Sequence, residues 1–165
     1  VEENAFDLLA MGRPEGPGCY CAANNILRTS VDRLSDAYDY VVIDNEAGLE
    51  HLSRRTTRDV DVLFVVSDPS LRGLVAAARV AELVDELKTA VGAVYLLVNR
   101  VTGPTLSDPL LKVIEDSKLK LAALLPADAA VNELDALGEP IVRLPEDAPM
   151  RRTLEATLAS LDGGL

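Results

Sequence analysis

Short apolar runs alternate along the chain with longer segments whose apolar residues recur at helical spacing. The runs with the length and β-branched content of strands are Phe6–Met11, Tyr40–Asp44, Val62–Ser67, Ala93–Asn99, Leu121–Leu125 and, as a weaker candidate, Ile141–Arg143. These runs are continuous rather than alternating, which is typical of parallel strands that are covered on both faces.

Helical spacing marks the segments between the runs. In Ser70–Lys88, the residues Leu74, Ala77, Ala81 and Val84 fall on one stripe. The other predicted helices are Ala22–Tyr38, Pro109–Lys118, Ala129–Leu137 and Met150–Leu161. This alternation predicts an α/β protein with a doubly wound, mainly parallel sheet. A length of 165 residues predicts one α/β domain that spans residues 1–165.

Polar residues follow most of the predicted strands. In doubly wound sheets, ligands bind at the carboxyl ends of the strands. The polar clusters at these positions are Gly12–Cys21, Asp44–His51, Ser67–Pro69, Asn99–Arg100 and Pro126–Asp128. The sequence therefore predicts one ligand site at the carboxyl edge of the sheet.

Composition narrows the classes of partner. Hydrophobic residues make up 48% of the chain and charged residues 26%, as in folded globular proteins. The net charge of −11 argues against binding to nucleic acid or to anionic membranes, because both need a basic surface. The apolar runs are also too short to span a membrane.

The Gly/Pro-rich segment Gly12–Cys21 carries the two cysteines of the chain, Cys19 and Cys21. A bridge between residues this close would be strained, so we expect reduced thiols and a cytoplasmic protein. Two thiolates fill half of a tetrahedral site for Zn²⁺ or Ni²⁺. The other ligands come from elsewhere in the chain or from a second copy, which would make metal binding and dimerisation one event. The competing interpretation is a pair of ordinary buried cysteines.

A strand-like run that ends in Asp44 and is followed by Gly48 suits a nucleotide-hydrolysing site. The carboxylate would hold Mg²⁺ directly or through water, and the glycine N–H would approach a γ-phosphate. The alternative is that Asp44 caps a helix and Gly48 makes a turn.

His51 is the one histidine of the chain. It could be a metal ligand or could respond to the bound nucleotide, but we favour an exposed or capping role.

The sequence lacks a phosphate-binding Gly-x-x-x-x-Gly-Lys-Ser/Thr loop. The segment Gly12–Gly18 does not replace it, because it has no lysine and because Pro14 and Pro17 remove two backbone donors. The chain begins at Val1, shortly before a predicted buried strand, without a signal-peptide pattern. We therefore expect it to be the carboxyl-terminal portion of a longer protein.

Several of these segments together resemble a known family. Gly12–Cys21 and Asp44–His51 look like the CooC family, the nickel-insertion accessory ATPases of carbon monoxide dehydrogenase. This family lies within the MinD/ParA and nitrogenase-iron-protein group of P-loop ATPases. The segments Val98–Arg100, Leu125–Asp128 and Gly138–Pro140 resemble the adenine side of MinD-like ATPases.

The resemblance implies a MinD-type P-loop fold and binding of ATP with Mg²⁺. It assigns catalysis to Asp44 and Gly48, and places the base near Asn99, Pro126 and Asp128. It further implies a homodimer in which paired Cys19 and Cys21 loops hold Ni²⁺ or Zn²⁺, with carbon monoxide dehydrogenase as the client. The family topology also implies a phosphate-loop strand between the strand ending at Asp44 and the strand Val62–Ser67.

Two rival interpretations remain. In one, the cysteine loop serves a metal-binding scaffold that needs no nucleotide. In the other, the chain is part of a MinD/ParA-type positioning ATPase, although its acidic charge and lack of an amphipathic tail argue against that role.

Overall fold

The computed structural model describes residues 6–10, 26, 29–34, 37–45, 60–87, 91–117 and 119–162. The chain divides into two compact units, Val1–Thr57 and Arg58–Leu165. Cys19, Cys21, Gly48 and His51 lie outside the described residues. The prediction of a single domain over residues 1–165 remains a prediction.

In the first unit, residues 29–34 are helical, within the predicted helix Ala22–Tyr38. The Ser30 hydroxyl donates a hydrogen bond to the Ile26 carbonyl oxygen at 2.9 Å, one turn earlier. The Tyr38 hydroxyl donates to the Asp7 carboxylate, which joins two segments that are 31 positions apart.

The prediction of buried strands at Phe6–Met11 and Tyr40–Asp44 is wrong for the described residues. Asp7 forms a single bridge, and residues 40–45 carry no strand pairing. The side chain of Val42 is 91% exposed. A parallel strand becomes buried only when neighbours accept its ladder hydrogen bonds and helices cover its faces. The described residues provide no such neighbours for residues 40–45.

The second unit has the predicted alternation of strands and helices. Its elements are β1 (Val60–Ser67), α1 (Leu71–Leu87), β2 (Val91–Val101), α2 (Asp108–Asp116), β3 (Lys120–Pro126), α3 (Ala129–Leu137), a 3₁₀ turn (Ile141–Arg143) and α4 (Pro149–Asp162). The strands pair in the order β1-β2-β3, and both pairs are parallel. The predictions of three strands and of the four helices in this unit are confirmed, with bounds shifted by at most two residues.

The prediction of a weak strand at Ile141–Arg143 is wrong, because these residues form a 3₁₀ turn. The Arg143 N–H donates to the Pro140 carbonyl oxygen at 3.0 Å, and the Leu144 N–H donates to the Ile141 carbonyl oxygen at 2.9 Å. Val142 is 82% exposed. The four residues between Pro140 and Pro145 close such a turn locally, whereas a strand would need a partner along its length.

Helices cover both faces of the sheet. The larger core cluster joins α1 and α2 to one face and includes Leu74, Leu96 and Val98, which are almost completely buried. On the other face, Leu97 and Leu125 pack against Leu154 of α4. The result is the predicted doubly wound α/β architecture. Among the described residues, no helix has both the length and the apolar character that crossing a bilayer requires.

Candidate ligand site at the carboxyl edge of the sheet

The three parallel strands of the second unit end at one edge of the sheet. Ser67 pairs in register with Val98, and Val101 pairs with Pro126. The Ala127 N–H donates to the Val101 carbonyl oxygen at 2.9 Å, which fastens the loop after β3 to the end of β2. The structure therefore places the polar residues after β1, β2 and β3 side by side, as the sequence predicts.

The loop after β1 is closed by its own side chains. Oδ1 of Asp68 accepts hydrogen bonds from the Ser70 hydroxyl at 2.6 Å and from the Ser70 N–H at 3.3 Å. The Ser70 hydroxyl oxygen accepts from the Gly73 N–H at 3.0 Å, so Ser70 caps the first turn of α1. This arrangement needs glycine at position 73, because a Cβ atom there would lie 2.2 Å from Oδ1 of Asp68.

The end of β2 is irregular at Asn99 and Arg100. The register with β3 shifts between Val98 and Val101, and Arg100 adopts a left-handed backbone with φ of 60°. Oδ1 of Asn99 accepts a hydrogen bond from the Arg100 N–H at 2.8 Å, which supports this turn. Within the part of the chain that the structure describes, the Nδ2 group of Asn99 donates to no protein acceptor. The bulge thus places a partly exposed amide donor at the edge of the sheet.

The loop after β3 contains Pro126, which is half-buried, and Asp128, which is 9% exposed. Oδ1 of Asp128 accepts from the Ala130 N–H at 3.0 Å and thereby caps α3. Oδ2 of the same carboxylate accepts from the Met150 N–H at 3.1 Å, in the first turn of α4. Both carboxylate oxygens are therefore engaged by backbone groups.

An open groove of about 700 Å³ lies between β3 and α4. Ala122 and Leu124 line it on the strand side, and Pro149, Thr153 and Thr157 line it on the helix side. The two threonine hydroxyls bond to carbonyl groups of their own helix. The groove therefore presents apolar surface and satisfied hydroxyls, together with the ionisable side chains of Asp147 and Arg152.

The remaining predicted site residues belong to the first unit. Asp44 is described, and it is an exposed residue without strand pairing. Gly48, Cys19 and Cys21 lie outside the described residues, so their assigned roles stay predictions. Within the described ranges, no group of three or more His, Cys, Asp or Glu side chains is arranged to hold a metal ion.

The double contact of Asp128 could not be predicted from the sequence, because one of its two partners lies 22 positions further along the chain. A signal for one half of it was present. Asp128 directly precedes the predicted helix Ala129–Leu137, and aspartate is a favoured residue at that capping position. The second half depends on where α4 packs, which a local pattern does not contain.

The fold is shared with known structures. MinD cell division protein of Aquifex aeolicus superposes with a TM-score of 0.65 at 21% identity, over 86% of this chain and 61% of that one. The described sheet and its covering helices therefore have the doubly wound fold of MinD-type P-loop ATPases. No model of a known protein family matches the sequence.

Sequence relatives agree with this class. An uncharacterized ATP-binding protein of Methanocaldococcus jannaschii is 44% identical over 155 residues, which cover 94% of this chain and 61% of the relative. The carbon monoxide dehydrogenase accessory protein CooC of Rhodospirillum rubrum is 30% identical over 141 residues, 84% of this chain and 52% of the relative. The matches support the MinD/ParA-type P-loop ATPases as the family. The chain spans between about half and three fifths of the length of these two relatives.

Proposed function

We propose that this chain is part of a CooC-like ATPase that delivers nickel to carbon monoxide dehydrogenase. The observation that supports ATP binding is the carboxyl edge of the sheet, where Asn99, Pro126 and the Asp128 loop lie together. A relative of the chain is named an ATP-binding protein, which agrees with this assignment. Nickel delivery rests on the similarity to CooC and on the spacing of Cys19 and Cys21.

The base of ATP fits the chemistry of this edge. An adenine ring offers nitrogen acceptors and an exocyclic amino donor. The Nδ2 group of Asn99 can donate to a ring nitrogen, and its Oδ1 keeps a second lone pair beside the one used by the Arg100 N–H. The half-buried Pro126 ring offers an apolar surface for the face of the base.

Asp44 and Gly48 are assigned to the phosphate end of the nucleotide. Asp44 is exposed, and a carboxylate is the type of ligand that Mg²⁺ prefers. When bound, Mg²⁺ would neutralise charge on the phosphate oxygens. Asp44 would hold that ion directly or through water, and the N–H of Gly48 would contact the γ-phosphate only before hydrolysis.

Nickel is the cargo in this proposal. Cys19 and Cys21 from each of two copies would form a four-thiolate site across a twofold axis. Because the γ-phosphate contact is lost on hydrolysis, the nucleotide would bias the dimer geometry that the thiolates experience. The protein would therefore hold metal in one nucleotide state and release it in the other.

Metal stoichiometry with and without ATP separates this proposal from its rivals. A metal-binding scaffold would hold the same amount of metal with and without nucleotide. A positioning ATPase would bind ATP but would retain no metal on Cys19 and Cys21. Nucleotide-dependent metal retention by the full-length gene product is the result that we expect.

The 165-residue chain alone is expected not to bind ATP at micromolar concentration. The backbone nest and the lysine that hold phosphates in P-loop proteins are absent from its sequence, and one carboxylate with Mg²⁺ does not replace them. Isothermal calorimetry of this chain and of the full-length gene product, with ATP and Mg²⁺, tests this. Micromolar binding by the short chain would contradict the prediction. Absence of binding by the full-length product would overturn the ATPase proposal.

Replacing Asn99 by Ala in the full-length gene product is expected to weaken ATP binding roughly fivefold to tenfold, because one or two hydrogen bonds to the base are lost. Binding of pyrophosphate, which has no base, should change less than about twofold. Asn132→Ala is the matched control, since Asn132 is an exposed residue of α3. Equal weakening of both ligands would show that Asn99 acts elsewhere.

A further inference from the structure

The carboxylate of Asp128 connects the first turns of two helices. The first N–H groups of any helix have no partner within that helix. In α3, the Ala130 N–H is satisfied by Oδ1 of Asp128, and in α4 the Met150 N–H is satisfied by Oδ2. The positive ends of both helix dipoles therefore face one negative charge, which lies in a nearly buried position.

The same loop is fixed to the neighbouring strand. The residue before Asp128, Ala127, donates its N–H to the Val101 carbonyl oxygen at 2.9 Å. Val101 directly follows the bulge that presents the Asn99 amide. The positions of Asn99, Pro126 and Asp128 are therefore connected through backbone contacts.

The first turn of α4 has few contacts besides the one with Asp128. Its Pro149 and Thr153 line the open groove, and the Arg151 guanidinium donates to the Leu144 carbonyl oxygen at 3.1 Å. Leu154 packs against the smaller core cluster, whereas Met150 and Arg151 are partly exposed. The contact with Oδ2 of Asp128 thus fixes the first turn of α4 to the carboxyl edge.

We infer that Asp128 is a positioning residue, which holds the base-binding loop through its two helix caps and transmits occupancy of that loop to the first turn of α4. This inference rests on the proposed binding of a nucleotide base at the edge formed by Asn99 and Pro126. When a base packs on the loop, the loop moves less, and the Oδ2 contact with α4 opens less often. Hydrogen exchange of the Met150 amide should therefore slow when the base is bound.

The test uses hydrogen exchange of the Met150 amide in the full-length gene product, measured without ligand, with ATP and with pyrophosphate. In the unaltered protein, ATP is expected to slow exchange at this amide severalfold, and pyrophosphate is expected to have less effect. Asp128→Asn is the main variant. Asparagine is as good an N-cap as aspartate, but its NH₂ group cannot accept from a second N–H. It should therefore keep one cap and lose the other.

Asp128→Asn is expected to remove the ATP-dependent slowing and to weaken ATP binding roughly fivefold, with pyrophosphate binding changed less than about twofold. Ser117→Ala is the matched control. The Ser117 hydroxyl bonds to the Ile114 carbonyl oxygen and to the Leu119 N–H at the opposite end of β3. Its loss should leave both readouts unchanged. A thermal melt of each variant confirms that folding is retained at the assay temperature.

Each outcome has a distinct meaning. If ATP binds the unaltered protein without slowing exchange at Met150, or if Asp128→Asn retains the slowing and the affinity, the positioning role is overturned. The same holds if Ser117→Ala loses both as fully as Asp128→Asn does. If the unaltered protein does not bind ATP, the proposed function itself fails, and that result is separate from any property of Asp128.

Discussion

Replacing Cys19 or Cys21 by Ser in the full-length gene product is expected to abolish both metal retention and metal-dependent dimerisation. Tetrahedral zinc or nickel needs four ligands, one loop supplies two, and the sequence has no other cysteine. A twofold axis would bring the second pair from another copy. The expected ratio is therefore one metal ion per two chains. Affinity should fall as the pH is lowered, because protons compete with the metal for sulfur.

Metal analysis combined with sedimentation checks this prediction. His51→Ala is the control, since we favour an exposed or capping role for that residue, and it should leave the ratio unchanged. A ratio near one metal ion per chain, or a metal-bound monomer in sedimentation, would refute the shared site. Full retention of metal by Cys19→Ser would show that the thiolates are not the ligands.

Truncating Leu96 to Ala is expected to lower the free energy of unfolding by about 3 kcal/mol, as is usual for a completely buried leucine. Leu96 is 0% exposed, and it belongs to the core cluster that joins β2 to α1 and α2. The substitution removes buried methyl groups and leaves a cavity that rigid neighbours fill only in part. Urea denaturation of the 165-residue chain, followed by circular dichroism, measures the loss.

The matched control for this substitution is Leu137→Ala. Leu137 ends α3 and is 69% exposed, so its truncation should cost less than about 1 kcal/mol. Comparable losses for the two variants would show that the core does not lie between the sheet and α1. An unchanged midpoint for Leu96→Ala would lead to the same conclusion.

Elements of the second unit could be predicted because their signals are local. The helix Ala129–Leu137 has the predicted bounds, and the apolar run Val62–Ser67 lies within β1. The helix is bounded by the capping residues Asp128 and Gly138, and the apolar run of β1 is covered by residues of the same unit. The three strands are two to four residues longer in the structure than predicted, since pairing with a neighbour extends beyond the apolar residues that mark a strand in the sequence.

In the first unit, the apolar composition of a segment did not predict its burial. Tyr40–Asp44 has the composition of a buried strand, yet its residues are exposed and form no strand pairing with the described part of the chain. An apolar run records a preference for burial, but burial requires surfaces that fit it. The prediction of a strand at Ile141–Arg143 is wrong for a related reason. The four residues between Pro140 and Pro145 satisfy their own hydrogen bonds in one turn, without a neighbouring strand.

The position of the polar residues at the ends of β2 and β3 was predictable, whereas their contacts were predictable only in part. The carboxyl-edge rule placed Asn99, Pro126 and Asp128 together without knowledge of the coordinates. The bulge at Arg100 and the contact between Asp128 and Met150 depend on register and helix packing, so the local sequence does not contain them. The role of Asp128 in holding two helices therefore emerged only in three dimensions.

The glycine at position 73 has a mechanical consequence. Because it brings the backbone of α1 against Asp68 and Ser67, the end of β1 and the first turn of α1 form one stiff corner. Helix α1 has 17 residues and is therefore roughly 25 Å long. A tilt of about 5° at this corner would displace its far end by roughly 2 Å. The larger core cluster includes Leu74, Ala77 and Ala81 of α1, so a change of angle at this corner would also shift the contacts of these residues with the sheet.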